Sequence, residues 1–172
     1  MSVVTEIESV LRSLDGIVDS AEPIDELAHA LQAAGLAIAA GADDELVAAT
    51  LLHDVGRSPL LPDGPHDRIG AAWLEPRLGA RVAWLVGAHV QAKRWIVATD
   101  PSYALSAVSI ASLEAQGGAT TDGLPLDHPW WPDAVALRRF DDSAKVPDAP
   151  VPELRDVLEV VGRVAEMPMR RR

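Results

Sequence analysis

The sequence predicts an all-α fold, a compact helical bundle, and three observations carry that expectation. Apolar residues recur at helical spacing along most of the chain. Ala, Leu and Val dominate an apolar fraction of 48%, while aromatics are only 4%, a balance that suits packed helices better than sheet. No segment alternates apolar and polar residues strictly enough to form a strand.

The elements follow in order. Residues 3–14 place Val4, Ile7, Val10, Leu11 and Leu14 on one side of a first helix. Pro23 suits the start and Gly41 the stop of a second helix over 23–40. Asp43 or Asp44 caps a third, which runs to residue 55 and is closed by Gly56. Residues 57–65, RSPLLPDGP, read as a loop. Helices are then predicted over 66–77, 80–97 and 101–115, the last stopped by Gly117 and Gly118. Residues 118–132, GATTDGLPLDHPWWP, form a long loop whose apolar content predicts packing as a lid or wall. A helix from 133 to about 142, a Pro-rich turn and a last helix over about 152–166 complete a single domain spanning 1–172.

Composition narrows the function. The formal net charge is -11, so nucleic acid and anionic lipid are repelled as partners. The first residues, MSVVTEIESVLRSLDG, carry acids and no signal-peptide core. No apolar run approaches the ~20 residues of a membrane span, and a cytoplasmic protein is expected. Arg170, Arg171 and Arg172 read as a solvated basic end. The chain has no cysteine, so any metal must sit on imidazole and carboxylate.

Four of the five histidines fall in predicted helices: His29 in ELAHAL, His53 in ATLLHDVG, His66 opening its helix, and His89 in VGAHVQAKRW. His128 lies in the loop LDHPWW and reads as a loop residue. Asp54 follows His53 directly, and Asp141 lies in LRRFDDSAK. A buried histidine taken singly is more often a satisfied core residue than a ligand. The ordered set His, His-Asp, His, His, Asp on successive helices is much harder to reach by accident. A carboxylate has two oxygens and can bridge two ions ~3.5–4 Å apart, with imidazoles completing each sphere. Four histidines and two carboxylates suit iron, manganese or zinc better than calcium or magnesium.

The motifs ELAHALQAA, LLHDVGR, HDRIGAAWL, GAHVQAKRWIV, SLEAQGG and LRRFDDSAK, spread over about residues 22–148, resemble the HD-domain superfamily of metal enzymes. Within it the chain is similar to the mixed-valent di-iron oxygenases, most of all to the 2-amino-1-hydroxyethylphosphonate dioxygenase type, and more distantly to myo-inositol oxygenase. The resemblance implies an HD-domain bundle with one iron on His29, His53 and Asp141, the other on His66 and His89, and Asp54 bridging them. It implies a substrate-binding role for Lys93, contact of Ser109 with the substrate head group, Gln116 in the same motif, and a pocket role for Glu22 that includes meeting a substrate amine. Helical spacing is consistent with part of this: His89 and Lys93 are i,i+4, and Arg138 and Asp141 are i,i+3. Arg138 would then place a guanidinium for a phosphonate beside the last ligand. Trp73, Trp84 and Trp95 read as core, with Trp95 close enough to Lys93 to wall the pocket, and Trp130 and Trp131 as its cover. One departure stands out: Asp19 occupies the position of a family tyrosine, and the only tyrosine is Tyr103.

The implied activity is cleavage of a C–P or C–C bond in a small, anionic, hydroxylated phosphonate-like substrate by O2, on Fe2+/Fe3+ ions or other divalent metals. The same ligands also suit a dinuclear phosphohydrolase acting on a phosphate ester or nucleotide, through a metal-bound water of lowered pKa. A non-catalytic HD-fold binding protein is the third reading.

Overall fold

The computed structural model describes residues 2–18 and 24–167, so Asp19, Glu22, Pro23 and the terminal arginines lie outside the described residues. The order is α1 (Val3–Arg12), α2 (Glu26–Ala39), α3 (Asp44–Leu51), a 3-10 turn (Val55–Arg57), α4 (His66–Leu78), α5 (Ala80–Thr99), α6 (Ala107–Ala115), α7 (Trp131–Ser143) and α8 (Leu154–Glu166). Among the described residues there is no strand, and no helix is long and apolar enough to cross a membrane.

The bundle is organised around α3, which lies against α2, α5, α7 and α8. Every residue from Leu46 to Leu51 is buried, as expected for a helix enclosed on all sides. The long α5 runs between α4 and α7, and α1 packs on α8. In α8, Val157, Leu158, Val160, Val161 and Val164 form the inward stripe. Ile7 and Leu11 of α1, Leu74 of α4, Leu85 of α5 and Leu137 of α7 meet it in one core.

Side-chain caps set several helix starts. Asp25 accepts from the Ala28 N–H at 2.8 Å and Asp43 from the Leu46 N–H at 2.9 Å, each satisfying an otherwise unpaired amide. The second helix therefore starts at Glu26 rather than Pro23, and Asp43 is the cap of the third. The predicted helix over 101–115 begins only at Ala107 with Ser106 as cap, because the Asp100 carboxylate accepts from the Ser102 amide and holds a turn there.

The third helix ends four residues earlier than predicted. After Leu51 the chain tightens, with the Val55 N–H on the Leu52 carbonyl and the Arg57 N–H on the Asp54 carbonyl, so His53 and Asp54 sit in a turn rather than in the helix. Gly56 does not act as a left-handed helix stop. A Cβ on it would lie 2.1 Å from the His66 carbonyl oxygen, so its role is to let the start of α4 close against the His53–Asp54 turn.

The loop before α7 is pinned away from that turn. Arg94 donates to the Gly118 carbonyl at 2.8 Å, His128 stacks on Trp84 at 3.9 Å, and Trp131 is buried edge-on to Trp95.

Candidate metal centre

Five elements deliver six side chains to one place: His29 from α2, His53 and Asp54 from the turn after α3, His66 from the first residue of α4, His89 from α5 and Asp141 from α7. The Nε2 atoms of His29 and His53 lie 3.2 Å apart, as do those of His66 and His89. Two nitrogens bound about 2.1 Å from one ion at 90–109° are separated by ~3.0–3.4 Å, so both pairs fit ligation of a common cation.

Asp54 joins the two pairs. Its Oδ2 lies 3.6 Å from His53 Nε2, and its Oδ1 lies 3.1 Å from His66 Nε2 and 3.8 Å from His89 Nε2. Two groups thus form with Asp54 common to both: His29, His53 and Asp54, and Asp54, His66 and His89. Asp141 adds to the first, with Oδ1 3.2 Å from His29 Nε2 and Oδ2 3.6 Å from His53 Nε2. The buried Asp54 Oδ1 accepts no hydrogen bond of normal geometry, an expensive arrangement for a carboxylate oxygen unless a cation takes its charge.

The rings are held in the orientation ligation needs. Nδ1 of His29 lies 2.9 Å from the Ala144 carbonyl, Nδ1 of His53 2.8 Å from that of Thr50, and Nδ1 of His89 2.6 Å from that of Val86. A carbonyl only accepts, so each Nδ1 carries a proton and each Nε2 faces the centre, the usual backbone support of a metal-bound histidine.

The electrostatics agree. Burial opposes ionisation of Asp54 and Asp141, yet Arg57 and His53 around the first, and Arg138 and His53 around the second, hold both well below the usual carboxylate range. Burial, then His66 and His53, depresses His89 and leaves a neutral imidazole. Burial would also depress His53, but Asp54 and Asp141 lift it to about 9; a field that draws a proton so strongly draws a metal cation too.

A pocket opens on this cluster, lined among others by Lys93, Ser109, Ser112, Gln116, Arg138 and Lys145. Its free space is about 60 Å³.

No family model matches the chain. It is 38% identical over 150 residues to hydroxymethylphosphonate dioxygenase of Gimesia maris, an alignment covering 78% of this chain and 75% of that protein. It is also 30% identical over 168 residues to [1-hydroxy-2-(trimethylamino)ethyl]phosphonate dioxygenase (glycine-betaine-forming) of Leisingera caerulea, covering 86% and 83%.

The chain belongs to the HD-domain phosphonate dioxygenases. Both relatives carry dioxygenase names, which favours the oxygenase over the phosphohydrolase and the non-catalytic reading.

Around this family's metal centre the structure locates the remaining expected residues, except Glu22, which is outside the described part. Lys93 is buried and donates to Ser112 Oγ at 2.8 Å. Burial first, then Arg138, lowers its pKa to about 8. Ser109 is buried in the pocket wall. Gln116 lines the same pocket, with its Oε1 buried and unpartnered. Arg138 lines it too, but its guanidinium is engaged: one nitrogen donates to Asp141, and two donate to Asp142, Nε at 2.8 Å. Trp95, Trp130 and Trp131 are not among the pocket-lining residues, so the expected aromatic wall and cover do not form.

Three charged pocket residues escaped the sequence reading. Arg57 places Nε 3.1 Å from Asp54 Oδ2 and Nη1 3.7 Å from Glu26 Oε1. Glu26 is buried one turn before His29, its pKa raised by burial and Asp54 against the pull of Arg57. Lys145, four residues after Asp141, donates to Ser109 Oγ at 3.0 Å. Each lies within about one helical turn of a ligand, the same spacing that singled out Lys93 and Arg138.

Proposed function

We propose that this chain is a di-iron dioxygenase that cleaves the C–P bond of a small 1-hydroxyphosphonate. The observation that carries the reading is Asp54, whose two oxygens face two separate histidine pairs. His29, His53 and Asp141 would hold one ion, His66 and His89 the other, with Asp54 bridging. Iron suits a nitrogen and carboxylate ligand set and gives the redox chemistry a dioxygenase requires. Bound there, the two ions supply dioxygen activation and the electron transfers.

The protein supplies charge and position. Lys93 and Lys145, presented beside Ser112 and Ser109 on α6, give two ammonium groups for a doubly charged phosphonate. Ser109, and the unpartnered Gln116 Oε1 facing a substrate hydroxyl, complete the polar wall. Arg138, bound to Asp141 and Asp142, contributes by orienting the Asp141 carboxylate and offsetting its charge.

For hydroxymethylphosphonate the reaction balances as one substrate dianion plus one O2 giving formate, hydrogen phosphate and one proton. The C–P bond breaks, and the carbon that bore the hydroxyl becomes the carboxylate. Protein loaded with iron under reducing conditions should consume O2 and release phosphate in equal amounts. Phosphate release without O2, or no metal uptake by folded protein, would refute the proposal.

A further inference from the structure

Helix α7 ends at Ser143, so Lys145 lies on the stretch beyond it, where no helix ladder fixes the backbone. Pro147 has no N–H and biases Val146 towards extended backbone. A lysine has a flexible four-carbon stem and a strongly hydrated head, so in such a stretch it faces water unless its backbone is held. Lys145 instead lines the pocket and donates to Ser109 Oγ at 3.0 Å.

The hold comes from α2. Gln32 Nε2 donates to the Val146 carbonyl at 2.7 Å, and Gln32 Oε1 accepts from the Val146 N–H at 3.1 Å. Both ends of one buried amide are thus committed to a single residue 114 positions along the chain. The side chain of Val146 is exposed, so apolar packing does not fix it there. On the other side of Lys145, the Ala144 carbonyl lies 2.9 Å from His29 Nδ1, and the Ala144 N–H donates to the Asp141 carbonyl at 3.1 Å. His29 and Gln32 are i,i+3 and share a face of α2. That face therefore grips the residues on both sides of Lys145, one through a metal ligand and the other through Gln32. Gln32 is not among the pocket-lining residues, so it acts through what it holds.

We propose that Gln32 is a positioning residue of this site, clamping the Val146 peptide so that Lys145 stays in the pocket for the phosphonate. This rests on the reading of Lys145 as a phosphonate ligand of the dioxygenase.

The test is a double-mutant cycle in iron-loaded enzyme, with methylphosphonate binding read by calorimetry. Gln32→Met keeps the length and helix preference of the side chain, and the peptide of the exposed Val146 then turns to water. Lys145→Met should weaken binding about tenfold, the loss of one hydrogen bond to a charged group. Gln32→Met should lose about as much, and the double variant no more than Lys145→Met alone, where independent sites would multiply to about 100-fold. In turnover of hydroxymethylphosphonate, Gln32→Met should raise KM with kcat held, the mark of lost binding. Its iron content and mixed-valent EPR signal should match wild type, because Ala144 keeps its own bonds. Its crystal structure should show Lys145 Nζ away from Ser109. Losses that multiply in the double variant, iron lost in place of phosphonate affinity, or Lys145 still on Ser109 overturns the proposal. Lys145→Met binding as wild type does also overturns it, and continued phosphate release with O2 uptake then leaves the dioxygenase reading standing. Wild type that turns over no hydroxyphosphonate overturns the dioxygenase reading instead, while the binding cycle and the crystal structure still decide the role of Gln32.

Discussion

Gly56→Ala should break one half of the metal centre while leaving the other. A Cβ at residue 56 would lie 2.1 Å from the carbonyl oxygen of His66, 2.8 Å from its carbonyl carbon and 2.9 Å from its Cα. All three are backbone atoms, so no side-chain rotation relieves the contact. Ordinary van der Waals separation begins near 3.4 Å, and the start of α4 must therefore retreat by about 1.3 Å. His66 Nε2 stands 3.1 Å from Asp54 Oδ1, and metal ligation tolerates only ~0.2 Å. The His66–His89 side should lose its ion, while His29, His53 and Asp141, carried by other elements, keep theirs. Overpacking of this kind costs about 1–3 kcal/mol, which for a chain of 172 residues corresponds to roughly 2–12 °C in Tm. Iron analysis and calorimetry read both effects: about one iron per chain, dioxygenase activity lost, and a lowered but cooperative transition. A Gly56→Ala protein with two irons and native activity would refute the claim that this glycine sets the approach of His66 to Asp54.

Other perturbations follow from the same geometry. His66→Ala should also leave about one iron per chain but with little change in the Tm of metal-free protein, because His66 is half-buried and its ring meets only His89 and Asp54 of the same cluster; equal iron content in variant and wild type would count against its role. Chelation should lower the Tm by about 5–11 °C per ion, since an ion at 100 times its Kd contributes ~2.7 kcal/mol; an unchanged Tm would mean that no ion binds the folded state preferentially. Lys93, brought down to about 8 by burial and Arg138, loses its charge as pH rises through that value, so KM for phosphonate should climb above about pH 8 in wild type. In Lys93→Arg, which stays charged, that limb should flatten; the same alkaline limb in both proteins would assign it to another group.

Much of the architecture was readable in advance because helix periodicity and start signals agree along this chain. The amphipathic stripes of α1 and α8 and the aspartate cap of α3 are local features. The ligand set was readable because its order along the chain maps onto successive elements, so each histidine could be placed on its own element. What the sequence hid was non-local. The helix carrying His53 stops at Leu51, because Gly56 must pack against His66 ten residues on, and nothing in LLHDVG announces that contact. Trp130 and Trp131 were expected over the pocket, but Trp84 and Trp95 of α5 hold them elsewhere. Arg57, Glu26 and Lys145 carried a readable signal, a charge within about one turn of a ligand. Arg138 showed the right face but not its partners, since the same turn that brings it to Asp141 brings it to Asp142 as well.

The central claim, that one carboxylate joins two metal positions, is tested most directly by anomalous diffraction at the iron edge from crystals of protein loaded anaerobically with iron. Two peaks should flank Asp54, one within bonding distance of His29, His53 and Asp141 and the other of His66 and His89. A single peak, or two peaks that do not share Asp54, would contradict it.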